Sequence, residues 1–205
     1  MHNICVFSFP RSGSTLVRFL CRKLTGIEED KAFFSKATSS DRIWHTHKHQ
    51  KIEDENFKIV LTLRNYKECC VSHVRRFEGK ISLFAEAKKM LIRPDIVSSY
   101  TEVIQAFDEY EYDKLLIYYE DLMENAQAEV ERLAKFLNVP MINNVDELII
   151  EARNSYPEKI SDGEKHFHSN KLTQDQKEEL DKLAEQALGG LYNKYLDGYK
   201  EFLNG

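Results

Sequence analysis

The chain has 205 residues, 42% hydrophobic and 31% charged, with 8 Gly and 4 Pro. That composition excludes collagen-like, low-complexity and disordered classes and fits one domain over residues 1–205. Its 29 basic and 34 acidic side chains give a formal net charge of -5, where a protein built around a nucleic-acid backbone carries a cationic excess, so no nucleic acid is expected as partner.

No stretch reaches the roughly 18 consecutive apolar residues of a bilayer-spanning helix. Met1-His2-Asn3 lacks the basic start of a secretory signal. Cys5, Cys21, Cys69 and Cys70 form no C-x-x-C pair, and the adjacent two have a spacing that rarely bridges, which reads as buried thiols in a reducing compartment. The expectation is a cytoplasmic protein with no membrane partner.

In chain order, residues 3–9 (Asn-Ile-Cys-Val-Phe-Ser-Phe) form a short apolar run of the buried-strand type. It breaks at Pro10-Arg11-Ser12-Gly13-Ser14, and Thr15 to Cys21 starts a helix. A shorter strand falls between Asp41 and His47. Phe57 to Leu63 is another buried strand, followed at once by Arg64-Asn65-Tyr66 and a helical stretch through Arg76. Pro94 separates a helix near Ser82–Leu91 from one near Asp95–Glu109, and Lys114 to Tyr118 is the last strand. Asn125 caps a helix with Val130, Leu133, Ala134 and Leu137 on one face, ended by Asn138-Val139-Pro140. Thr173-x-x-Gln176 is a capping-box pattern before the Leu180, Leu183, Ala184, Ala187, Leu188 stripe, and Gly189-Gly190 turns the chain into a last helix. Strands separated by helices give an α/β fold with a central, mostly parallel sheet flanked by helices.

Phe9-Pro10-Arg11-Ser12-Gly13-Ser14-Thr15 carries the most chemistry. A strand–turn–helix of this kind aims unpaired N–H groups and the positive helix end at one point. Ser12, Gly13 and Ser14 let an anion approach the backbone, Ser14 and Thr15 add hydroxyls, and Arg11 adds a full charge. An ordinary strand–helix turn with a left-handed Gly fits the same residues. The nucleoside-triphosphate loop does not, because its second Gly and its Lys-Ser/Thr are missing.

This loop resembles that of the sulfotransferases that use 3′-phosphoadenosine 5′-phosphosulfate (PAPS), in which a strand runs into Pro-Lys/Arg-Ser-Gly-Ser/Thr-Thr. The resemblance implies a P-loop-like sulfotransferase architecture and assigns Arg11, Ser12, Gly13, Ser14 and Thr15 to the 5′-phosphosulfate. Three further segments resemble the family in the expected order. Lys58 to Glu68 and on to Ser72 is similar to its second signature, which implies that Arg64 and Ser72 hold the 3′-phosphate. Tyr66 stands where Pro is usual, read here as a change in turn rigidity and not in contacts. Without the family, Arg64 fits a site or a surface ion pair equally well.

Ile117-Tyr118-Tyr119-Glu120-Asp121-Leu122 resembles the Tyr-Glu-Asp-Leu/Met segment, implying Tyr119 near the adenine, with Glu120 and Asp121 mostly architectural. A core aromatic is the other reading of Tyr119. Thr46-His47 matches the end of the family's Lys-Thr-His, implying His47 as general base, with His45 where Lys is usual. Two other readings stand beside it. His45, His47 and His49 alternate and would share a strand face able to bind a metal, with His166 and His168 in reserve; or His47 is structural. The Arg-Lys-Gly clamp that many cytosolic members carry near the C-terminus is absent, leaving Lys159 or Lys165 as substitutes, and Leu16 stands where many have Trp.

The reading is therefore a PAPS-dependent sulfotransferase that needs no metal, with His47 and Arg11 as catalytic residues and 3′-phosphoadenosine 5′-phosphate (PAP) as product. Arg11 acts by electrostatics alone, since an Arg does not release a proton at neutral pH. The acceptor is a small molecule or saccharide, its pocket drawn from residues 26–41 and 77–100, where Phe33, Phe34, Phe77, Phe84 and Met90 mix with Lys36, Arg75, Arg76, Lys80, Lys88, Lys89 and Arg93. A small nucleotide kinase and a non-catalytic 3′,5′-ADP-binding module are the competing functions.

Overall fold

The computed structural model describes residues 3–30, 41–75, 82–157, 160 and 168–192. The elements run β1 (Asn3–Ser8), α1 (Ser14–Thr25), β2 (Ile43–Thr46), β3 (Phe57–Leu63), α2 (Tyr66–Val74), α3 (Leu83–Leu91), α4 (Pro94–Glu109), β4 (Lys114–Tyr118), α5 (Tyr119–Glu124), α6 (Ala126–Leu137), α7 (Val145–Ser155), a 3-10 turn (His168–Lys171) and α8 (Gln174–Leu188). The four strands are all parallel, in the order β2-β1-β3-β4, with Val6 lying between His45 and Val60.

β1 and β3 are apolar on both sides because both faces of the sheet are covered. Ile4, Val6 and Val60 pack with Val17, Phe19 and Leu20 of α1, Val130 and Leu133 of α6, and Ile149 of α7. Cys5, Phe7, Ile59 and Leu61 pack with Val71 of α2, Leu91 of α3, Tyr100 and Val103 of α4, and Leu180 of α8. β2 is short, and its outer edge is lined by residues 28–30, through Ile43 N–H to Glu28 O at 3.1 Å and Asp30 N–H to Ile43 O at 2.9 Å.

Helix ends follow the local chemistry. Asn125 accepts from Ala128 N–H to start α6, and Asn138 closes it in the left-handed region at φ 58°. Both halves of the Thr173/Gln176 capping box are formed. Helix α1 begins at Gly13, which has no side chain to offer its first turn. The Gly13 carbonyl accepts instead from Leu16 N–H at 3.0 Å and Val17 N–H at 3.2 Å.

Tyr66 corrects the expectation of a turn change without contacts. Its side chain is fully buried at the start of α2, its hydroxyl donates to Leu91 O at 3.1 Å, and its ring centroid is 4.8 Å from that of Tyr100. The ring also meets Phe9 edge-on at 6.0 Å, so Tyr66 is part of what supports the start of the turn between β1 and α1. The four cysteines are buried free thiols. Burial pushes Cys21 up to about 12 and Cys5 higher still, which keeps both protonated. Among the described residues, no helix is long and apolar enough to cross a membrane.

Parallel strands place all their C-terminal ends on one side. The residues that follow β1, β2, β3 and β4 (Phe9–Gly13, His47, Arg64–Asn65 and Tyr119) therefore gather at one edge of the sheet, where α/β proteins bind ligands. Tyr66→Phe is expected to lower stability by about 1 kcal/mol through the lost hydroxyl. Tyr66→Ala is expected to cost about 3–5 kcal/mol through the cavity it leaves. Urea unfolding followed by circular dichroism measures both.

Candidate active site

The loop after β1 is a tight turn held from inside. Ser12 is fully buried, its hydroxyl donating to Phe9 O at 2.6 Å and its N–H to the same oxygen at 3.2 Å. Arg11 has φ 75° and Gly13 φ 95°, and Ser12 between them is not in the left-handed region. The Ser12 N–H is spent inside the turn, which leads directly into the N-terminus of α1. α1 has no acidic residue in its first turn, so the positive end of its dipole at that turn is uncompensated. Ser14 and Thr15 open the helix there, Ser14 largely buried and Thr15 half-buried.

Arg64, at the end of β3, is 4% exposed, and its Nη1 donates to Arg11 O at 3.0 Å. Its guanidinium carbon lies 4.6 Å from the centre of the Tyr119 ring. Burial opposes its charge, but Tyr119, Cys69, Glu120 and Glu68 outweigh that and hold its pKa above the ordinary value. Arg64 O in turn accepts from the Tyr100 hydroxyl at 2.7 Å. Glu120 Oε1 accepts from Asn65 N–H at 3.2 Å, fixing the next residue as the cap of α2.

Arg11 is tied at both ends. Its carbonyl takes Arg64, and its Nε donates to Ser72 Oγ on α2 at 3.1 Å. A left-handed non-glycine residue costs about 1–3 kcal/mol and persists only where the surroundings fix it. Here Arg64 and Ser72 do the fixing. Tyr119, read from the sequence as an adenine neighbour or a core aromatic, is 6% exposed, with its ring against both Arg64 and Gly13. A Cβ on Gly13 would lie 2.4 Å from Tyr119 Cδ2. Arg11, Ser12, Gly13, Ser14, Thr15, Arg64, Ser72 and Tyr119 thus stand together.

His47 follows β2 on the same edge. Its Nδ1 is 2.7 Å from Ser8 O and 3.0 Å from Ser8 Oγ. A carbonyl oxygen only accepts, so Nδ1 carries the hydrogen and Nε2 is the basic nitrogen. Burial lowers the His47 pKa below 6.5, the Ser8 carbonyl partly restores it, and Arg18 lowers it again. Ser99 donates to His47 O at 3.3 Å. His45 Nδ1 is 3.1 Å from Arg18 Nη1, and Arg18 also pairs with Glu29. His49 turns to Glu109 at 3.0 Å.

The three alternating histidines therefore go to three different partners, and among the described residues no group of three His, Cys, Asp or Glu side chains is placed to hold a metal. His168 begins the 3-10 turn. Residues 31–40, 76–81 and 161–167 lie outside the described residues, and with them Phe33, Phe34, Lys36, Arg76, Phe77, Lys80, Lys165 and His166, as does Lys159. In the rest of the expected acceptor stretch, Met90 is core, Phe84 packs against it, and Lys88, Lys89 and Arg93 pair with Glu179, Glu86 and Asp95. Ser8, Arg18 and Tyr100 were not singled out by sequence reasoning. Ser8 is placed by pairing: the parallel register Val6 to His45 carries it level with His47, which neither segment shows alone.

Residues 26–192 match the family described as "Sulfotransferase domain", a span that begins after the phosphate loop. Mouse sulfotransferase SULT7A1 complexed with PAP aligns over 92% of this chain and 85% of its own at 18% identity, with a TM-score of 0.61. The sulfotransferase domain from the curacin biosynthetic pathway aligns over 90% of this chain and 96% of its own at 15% identity, with a TM-score of 0.56. At these identities the two structures establish a shared fold. Comparison with curated proteins gives no match.

Gly13→Ala places a methyl group against the Tyr119 ring at a φ of 95°. It is expected to destabilise the protein by at least about 1 kcal/mol. The double variant with Tyr119→Ala should recover the steric part of that loss but not the backbone strain. A double-mutant cycle in urea separates the two.

Proposed function

Since the chain belongs to the sulfotransferase family, we propose that it transfers the sulfuryl group of PAPS to a hydroxyl of a small-molecule or saccharide acceptor. The observation that supports this most is the coupling of two anion-binding elements through Arg11. Its backbone belongs to a loop shaped for a 5′-phosphosulfate, while its carbonyl and side chain join Arg64 and Ser72, the pair suited to a 3′-phosphate. A donor with phosphates at both ends fits two such elements in one unit, with Arg64 and Ser72 supplying bidentate and hydroxyl contacts. Tyr119 backs the loop glycine and the guanidinium at once.

In the reaction, the loop N–H groups, Ser14, Thr15 and Arg11 bear the charge that develops on the leaving phosphate. His47 Nε2 takes the proton of the attacking hydroxyl, with Ser8 O holding the ring in the required tautomer. Arg11 acts by charge alone. The loop lacks the Lys-Ser/Thr that a kinase uses for terminal phosphates and magnesium, so a metal-independent donor is the reading favoured over a nucleotide kinase. A neutral His47 with a fixed basic nitrogen favours catalysis over a binding module. A cytoplasmic setting is part of the proposal, as is a single domain.

Calorimetry with PAP and with 5′-ADP, each with and without magnesium, tests the donor. Metal-independent binding that requires the 3′-phosphate is expected; preference for a magnesium nucleotide, or no binding of PAP, would sink the proposal. His47→Ala should lower turnover by roughly 10²–10⁴-fold with PAP affinity unchanged. Because His47 accepts a proton only when neutral and its pKa lies below 6.5, activity should hold down to that pH and fall on further acidification. An acid limb centred above 6.5 would assign the base elsewhere.

A further inference from the structure

β3 makes its last pairing with β4 at Leu63, so the carbonyl of Arg64 lies beyond the ladder while the residue itself is buried. A buried carbonyl needs a donor, and α4 supplies one. The Tyr100 hydroxyl donates to Arg64 O at 2.7 Å, against 3.9 Å for the weaker Cys69 thiol. Burial pushes the Tyr100 pKa well above its ordinary value, so the phenol stays a donor at any working pH.

The same ring is held independently of Arg64. Tyr100 is fully buried and meets Phe9, the first residue after β1, edge-on at 5.3 Å. One helix position earlier, Ser99 donates to His47 O at 3.3 Å, which ties α4 to the end of β2. The Tyr100 hydroxyl is thus placed by contacts with the ends of β1 and β2, and it fixes the backbone from which the Arg64 side chain starts. The far end of that side chain is fixed by Arg11 O and the Tyr119 ring. Tyr66 is the matched case. It is equally buried, its ring touches both Phe9 and Tyr100, and its hydroxyl also donates to a carbonyl, but to that of Leu91 in α3.

We propose that Tyr100 is a positioning residue for recognition of the donor's 3′-phosphate. The inference rests on the reading above of Arg64 as a ligand of that group. Tyr100 acts through the Arg64 backbone and not by contact with the nucleotide. Without the hydroxyl, Arg64 O keeps only the thiol, and a buried carbonyl so poorly matched drives its peptide to shift toward another partner. The guanidinium is rooted on the same residue, and a bidentate pair with phosphate depends on its orientation as well as its charge. Discrimination between nucleotides with and without a 3′-phosphate is therefore what this hydroxyl sets.

PAP and 5′-AMP differ only in the 3′-phosphate, so the ratio of their dissociation constants, read by calorimetry, isolates the contribution of that group. Tyr100→Phe should shrink the ratio by about tenfold, with the loss falling on PAP. Tyr66→Phe removes an equivalent hydroxyl from the same aromatic cluster and should leave the ratio at the parent's value. Tyr100→4-aminoPhe keeps a donor in the same place and should restore the ratio; it carries the test where Tyr100→Phe does not fold. An unchanged ratio in folded Tyr100→Phe, an equal fall in Tyr66→Phe, or a fall in the 4-aminoPhe variant overturns this inference alone. A parent protein that does not bind PAP, or binds it no tighter than 5′-AMP, overturns the donor reading and this one with it.

Discussion

A guanidinium at 4% exposure is the constraint around which the functional edge is arranged. Removing such a charge from water costs several kcal/mol unless its surroundings replace the solvent. Here three different segments replace it. The Tyr119 ring at the start of α5 stacks on Arg64, Arg11 O from the β1 loop accepts from it, and Glu68 and Glu120 supply negative charge from α2 and α5. Tyr100 of α4 fastens the backbone of Arg64 itself. Each of those contacts also places something else: the loop backbone, the cap of α2, the ring behind Gly13.

The sheet order makes this economical. β1 is central, with β2 on one side and β3 on the other, so the loop that follows it touches the ends of both neighbours. Toward β3 it meets Arg64, and toward β2 it meets His47 through Ser8. The strain of Arg11 at φ 75° sits where those constraints cross. A single residue whose carbonyl and side chain are both engaged is better determined than one held by either alone, which is the condition for a strained backbone to persist.

What the sequence made legible was local. Apolar runs marked β1 and β3, the Thr173/Gln176 spacing marked the start of α8, and Asn125 and Asn138 bounded α6, because each signal involves neighbours within a few residues. The turn from β1 into α1 was legible for the same reason. Tyr66 was misjudged because its partners, Phe9 and Leu91, lie far off in the chain, and a turn residue seen alone shows only its backbone preference. Tyr119 stayed ambiguous since stacking on a distant Arg and abutting a Gly leave no periodic trace. Arg18 belongs to the polar side of an amphipathic helix and looks like a solvated residue until β2 brings His45 beside it.

The partner of His47 has a consequence of its own. Many catalytic histidines are oriented by a carboxylate, which fixes the tautomer and also raises the pKa of the ring. At His47 a backbone carbonyl fixes the tautomer with a dipole instead of a full negative charge, and burial together with Arg18 then keeps the ring neutral. A carboxylate in that place would stand beside the loop that Arg11 and the helix dipole make attractive to anions. It would compete with any phosphate-bearing ligand for the same positive field. With Ser8 O as the orienting group, a neutral histidine and the positive end of α1 share one sheet edge without opposing each other.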